Sequence, residues 1–185
     1  MSQDGGDGAG GDASDAPPTN DGQRFDRLPA TDDDRDVPGR PTREEVLEWW
    51  ETRFGVDPAV FEPYDFYEKG AGKIWVYAGE ATNPARIEAL GMTLLRTRQE
   101  HWKPTTRTAS RFGRHASRNV IDLEPEEATS FLAGEDQPVE RWDGDWGYLI
   151  ATHEIAGDAE PIGVGLYLHG ELRSRVPKGS RRDLA

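Results

Sequence analysis

Pro161 to Arg182 reads PIGVGLYLHGELRSRVPKGSRR. Two short runs, Ile162 to Leu168 and Glu171 to Val176, carry the Val, Leu and Tyr content of strands, and His169-Gly170 joins them tightly enough to predict an antiparallel pair. Gly163-Val164-Gly165 falls inside the first run. A phosphate-cradling loop needs a third glycine and a following helix, and neither is present, so these glycines read as positions of close strand packing.

Outward from this hairpin the chain alternates short β-type runs with helical signals. Strands are predicted at Lys73 to Tyr77, Met92 to Thr97, Asn119 to Leu123 and Gly147 to His153. Asp143-Gly144-Asp145, between Trp142 and Trp146, reads as a hairpin or loop corner. Thr42 and Glu45 have capping-box spacing, and Val46, Leu47, Trp49, Trp50 and Phe54 recur at helical spacing until Gly55, which predicts a helix over 43–54. Asn83-Pro84 predicts a second, short helix with Ile87 and Leu90 on one side and Gly91 as its stop. Pro125, the acids around it and Gly134 predict a third from Glu124 to Ala133. About six strands with three interspersed helices imply an α+β fold, a small mixed barrel or pseudobarrel, because the connections are too short for repeated parallel crossovers.

Composition divides the chain near Pro41. Residues 1–42 are acidic and rich in Gly and Pro, with Phe25 their sole aromatic, whereas all 6 Trp and all 5 Tyr lie beyond them. The first segment therefore reads as a disordered tail and residues 43–185 as the domain. One island interrupts the tail: Phe25 and Leu28 stand three apart, between Arg24 and Arg27, and are expected to dock on the domain or on a partner.

The formal net charge is -13, yet positive charge is concentrated in two blocks. Residues 96–118 hold Arg96, Arg98, Lys103, Arg107, Arg111, Arg114 and Arg118 against the single acid Glu100, and Arg173, Arg175, Lys178, Arg181 and Arg182 follow with no acid among them. Concentration of this kind in an acidic background points to a polyanionic partner, RNA or DNA. The first block interleaves Trp102, Phe112 and His115 with its bases, and Thr105, Thr106, Thr108 and Ser110 add hydroxyls. Guanidinium forks and hydroxyls suit phosphate, and aromatic faces suit bases. The competing reading makes Trp102 and Phe112 core residues and pairs the arginines with neighbouring carboxylates. The candidate RNA-binding set is Lys103, Thr105, Thr106, Arg107, Arg111, Arg114, Arg118, Arg173, Arg175, Lys178, Arg181 and Arg182.

Other chemistries find little support. The chain contains no cysteine, which excludes disulfides, thiolate zinc and cysteine nucleophiles. His153-Glu154 begins a zincin-like signature, but Gly157 stands where the second histidine belongs, and the four histidines share no ligand spacing. Asp143 and Asp145 could form an acid/base pair, though a turn uses the same residues. No catalytic constellation, metal or cofactor is expected. No apolar run approaches ~20 residues, and the chain reads as cytoplasmic, with no membrane partner. Arginine outnumbers lysine 18 to 4, and such an acidic, lysine-poor composition suits a halophilic protein working in high salt.

The stretch from Gly147 through PIGVGLYLHGELRSRVPKGSRR resembles the end of the PUA-like RNA-binding domain attached to Nol/Nop/Sun-family RNA cytosine-5 methyltransferases. There a strand "PIGxG" leads through a small turn into a strand ending "hP-K-G-x-R", matched by Val176, Pro177, Lys178, Gly179 and Arg181. NVIDLEPEEATSFLAGE is similar to the family's strand, acidic-capped helix and Gly-Glu exit, and KPTTRTASRFGRHAS resembles its "PT/PS" helix region, so the likeness runs over most of residues 43 to 182. The family's methyl transfer uses a cysteine on a separate Rossmann-like domain that binds S-adenosylmethionine, and this sequence has neither the cysteine nor the length. The resemblance implies a stand-alone, non-enzymatic PUA-like RNA-binding module for structured rRNA or tRNA, assisting a separate RNA methyltransferase or meeting a ribosomal protein. The alternative is a protein-interaction adaptor in ribosome biogenesis without direct RNA contact, its acidic tail engaging a basic partner.

Overall fold

In the computed structural model, which describes residues 22–181, Thr42 opens helix α1 (Arg43–Phe54). The Thr42 hydroxyl accepts from the Glu45 backbone N–H at 3.0 Å and the Glu45 carboxylate accepts from Thr42 N–H at 2.9 Å. This closed capping box contributes about 1 kcal/mol. Gly55 ends the helix at φ 64, in the left-handed region. Val46, Trp50 and Phe54 are buried from one face of α1, each stabilising by roughly 1.5–3 kcal/mol.

Two five-stranded sheets flank this helix's core. The first runs in the order β1 (Asp26–Arg27), β2 (Tyr64–Glu68), β3 (Lys73–Ala78), β4 (Met92–Arg96) and β5 (Lys103–Pro104), antiparallel throughout. Helix α2 (Thr106–Phe112) leads to the second, built from β6 (Val120–Asp122), β7 (Asp136–Pro138), β8 (Gly147–Ile155), β9 (Asp158–Leu168) and β10 (Glu171–Ser174), with α3 (Pro125–Ala133) between β6 and β7. Its order is β6-β8-β9-β10-β7, with β6 parallel to β8. One apolar cluster joins Ile74, Val76, Leu94 and Leu95 of the first sheet to Ile150 and Val164 of the second, with Trp50, Phe54 and Phe112 packed among them. On the far face of the second sheet, Phe131 of α3 packs with Leu149, Ala151 and Leu172.

The α+β class and the count of three α-helices hold, two of them where the sequence places them, and the strands number ten among the described residues. The glycines of β9 act as packing positions. A Cβ at Gly163 would stand 2.9 Å from the Phe131 ring, and one at Gly165 2.5 Å from Leu172. The expected helix after Asn83-Pro84 does not form. Asn83 Oδ1 instead accepts the Arg27 N–H at 2.9 Å, Ala85 bridges to Phe25, and Lys69 donates to the carbonyls of Ile87 and Glu88. The third helix is α2, supplied by the TTRTASRF segment.

Composition places the domain start near Pro41, but the chain folds ahead of that point. Phe25 is fully buried and Leu28 5% exposed, with Phe25 edge-on to Trp75 at 5.3 Å and clustered with Tyr67 and Leu90. The island thus docks on its own domain. Arg40, 7% exposed, fastens it by reaching Asp26 of β1 at 3.3 Å and Glu68 of β2 at 2.9 Å. Of the tail expected over residues 1–42, residues 1–21 lie outside the described residues.

Candidate nucleic-acid interface

The first basic block is split by the fold. On α2, Thr108, Ala109 and Phe112 turn into the core, which leaves Arg107 and Arg111 exposed, and Arg114 is exposed on the 3-10 turn that follows, Gly113–His115. Arg111 donates to the Tyr64 hydroxyl at 3.0 Å and Arg114 pairs with Glu160 at 3.1 Å. Arg107 makes no hydrogen bond or ion pair among the described residues. The Thr105 hydroxyl is committed to the fold, donating to the Thr93 carbonyl at 2.7 Å and accepting from Thr108 N–H at the start of α2. Arg118 is exposed beside Gly55, away from α2's open face. Phe112 is a core residue and Trp102 is half-buried against the core.

The second block also divides. Arg173 pairs with Glu171 at 2.7 Å. Lys178 is exposed on a short 3-10 turn, Lys178–Ser180, and Arg181 donates to the Val176 carbonyl at 3.3 Å. Arg182 lies outside the described residues. Arg175 is half-buried, and its buried Nε finds no acceptor among the described residues.

The blocks meet at the seam between the sheets. The Thr106 hydroxyl donates to the Arg175 carbonyl at 3.4 Å. Lys103 stands close enough to Arg175 and Arg96 that, after burial itself, those two charges hold its pKa below the ordinary lysine range. Register explains the third partner and adds a fourth. Lys73 is opposite Arg96 across β3 and β4, and Arg96 is opposite Lys103 across β4 and β5, so three cations form one row at strand spacings of about 4.8 Å. Like charges directly opposite destabilise a sheet. None of Lys73, Arg96, Lys103 and Arg175 has an acid within ion-pair distance among the described residues. Lys73 lies outside both basic blocks of the sequence, and only strand register reveals it.

A groove of about 680 Å³ opens where α1, the segment ahead of β5 and the start of β8 meet, and Lys73 and Arg96 line a neighbouring cavity that shares Gln99 with it. In the second sheet Tyr148, Leu166 and Arg173 stand opposite one another across β8, β9 and β10. Tyr148 and Leu166 line the groove, and Trp49, Trp102 and Trp146 supply its aromatic walls. Trp49 and Trp102 are 6.2 Å apart, and exposed Trp146 rests edge-on against His169 at 4.7 Å. Arg53 of α1 donates twice to the Tyr148 carbonyl, at 3.0 and 2.8 Å, and so locks the first half of the chain to the start of β8. Arg175 also acts on Tyr148 electrostatically, although burial outweighs it and raises the phenol's pKa.

The second sheet, its acid-capped α3 and its basic carboxyl-terminal turn lie in a segment that resembles a PUA domain. Residues 118–182 match the family described as "Methyltransferase RsmF PUA domain", the PUA domain of the RsmF/Nol1/Nop2/Sun methyltransferases. Residues 12–91 match a different family, described as "Family of unknown function (DUF7122)". The KPTTRTASRFGRHAS segment falls between the two matches, so the PUA likeness is narrower than the sequence reading drew it. No curated protein matches the chain. No helix among the described residues is long and apolar enough to cross a membrane.

Proposed function

We propose that this protein binds structured rRNA or tRNA across the seam between its two sheets and presents it to a separate RNA modification enzyme, a methyltransferase in the first instance. The observation that supports it best is the meeting of Lys73, Arg96 and Lys103 from the first half with Arg175 from the PUA-like half, with no acid paired to any of them. A cluster of uncompensated cations in a chain of net charge -13 is a cost to the fold that a phosphate backbone offsets. The protein itself supplies binding and positioning, and chemistry belongs to its partner. The working compartment on this reading is the cytoplasm. Exposed Arg107 and Lys178 extend the contact to flanking phosphates, whereas Arg114 and Arg173, already paired, contribute less.

The adaptor reading draws on those same two pairs, which spend basic charge on Glu160 and Glu171. Binding of purified tRNA and rRNA fragments over a salt series separates the two. RNA affinity that falls with salt, and weakens in Lys103→Ala and Arg175→Ala proteins that remain folded, is the expected result. An unaltered affinity in both variants, or no binding by the native protein, returns the adaptor.

A further inference from the structure

We propose that the tryptophan groove is a stacking subsite for one unpaired nucleobase, filled while the adjoining phosphates of the same RNA strand lie along Lys73, Arg96, Lys103 and Arg175. The inference deepens the RNA-binding reading and rests on it. It names a single-stranded segment, rather than duplex, as what the seam grips.

Three features support this occupant. The groove is lined by Trp49, Trp102, Trp146, Tyr148 and Leu166, and Glu100 is the one acid lining it among the described residues. Base stacking uses such faces without regard to base identity. The cations lie close by, since the cavity lined by Lys73 and Arg96 shares Gln99 with the groove, Lys103 directly follows Trp102, and Tyr148 is within the field of Arg175. Spacing is also compatible: a row of cations at strand intervals of about 4.8 Å can follow the phosphates of an extended strand, whose bases then turn to one side. Trp146 is the exposed wall, at 59%. Trp146, supported by His169, shares the groove with the half-buried pair Trp49 and Trp102 and forms the accessible jaw of a clamp.

The groove takes residues from both halves of the chain. Trp49 and Trp102 come from the first half, and Trp146, Tyr148 and Leu166 from the PUA-like half. Neither half contains the clamp alone.

The test uses the full chain and a single-stranded RNA of about six nucleotides carrying one 2-aminopurine, with a blunt duplex of the same sequence beside it. The native protein should quench the single strand's fluorescence on binding. Trp146→Ala should weaken that binding by about fivefold or more, remove most of the quenching and leave the dependence on salt unchanged. Trp146→Phe should restore most of both, and duplex binding should not respond to either change. Equal affinity and equal quenching in native and Trp146→Ala proteins, both still binding RNA, would overturn the clamp and leave RNA binding standing. Failure of the native protein to bind either RNA would overturn both.

Discussion

Lys103 carries the chemistry of the seam in one titration. Burial and the nearby charges of Arg175 and Arg96 lower its pKa in the free protein, and a bound phosphate would favour the charged ammonium and raise it again. On the proposed function RNA binding would be coupled to proton uptake, and affinity should fall as pH rises through the lowered pKa. Folding runs the opposite way. The unfolded chain holds this proton more tightly, so the Lys103 contribution to stability rises with pH between the folded value and the unfolded one of about 10.4. Binding titrations from pH about 7 to about 10 should show a loss of affinity in the native protein that is absent from Lys103→Arg, whose guanidinium stays charged. Identical pH profiles for the two would remove Lys103 from the phosphate contacts.

The strap formed by β1 and its flanks shows how an element can hide inside a segment of the wrong composition. Ordering entropy argues against structure for an acidic, Gly-rich run as a whole, but Phe25 and Leu28 each find an apolar site, and Arg40 joins Asp26 and Glu68 in a place where all three are largely buried. Arg40→Ala should cost about 3–5 kcal/mol, because it removes the ion pair to buried Glu68 and leaves Asp26 paired with Arg24. Urea unfolding would measure it, and a loss below about 1 kcal/mol, the range of exposed pairs, would show that apolar burial of Phe25 and Leu28, not the ion pairs, holds the strap. Gly165→Ala tests the far side of the second sheet: crowding Leu172 and Phe131 should destabilise by about 1–3 kcal/mol, read as a lower melting temperature with unchanged seam contacts. Helix α1 was legible because its capping box and apolar spacing are local. The strands around the PIGVG hairpin were legible for the same reason. The absent helix after Pro84 was not, since what replaces it is a set of distant partners: Arg27, Phe25 and Lys69. Nor was the cation row, because Lys73 joins Arg96 and Lys103 only through register between strands, and two charge-dense blocks in the sequence pointed instead to Arg111 and Arg114, which the fold turns to Tyr64 and Glu160.

At the scale of the molecule, two segments that match different families share one apolar core and are locked together at Arg53 and Tyr148. On the proposed function, the seam would let cations from both halves address one strand of RNA, while the net charge of -13 would repel the backbone from the rest of the surface and narrow where it can lie. If so, Arg96 and Arg175 act on the same ligand despite belonging to different matched segments or flanks of them. Each single alanine substitution should reduce the slope of log affinity against log salt by about 0.7, and the double substitution by about twice that. Trp146→Ala should behave in the opposite manner, since stacking releases no counterions: its penalty should persist in molar salt, where the arginine variants and the native protein converge. A double Arg96→Ala, Arg175→Ala protein whose slope matches that of either single variant would mean that only one of the two reaches phosphate, and the seam would then be a boundary between halves and not a shared site. Convergence of Trp146→Ala with native protein at high salt would show that the groove's contribution, too, is electrostatic. The expected pattern, electrostatic loss in two residues and salt-independent loss in a third, can arise only if backbone and base are gripped at the same junction by different physics.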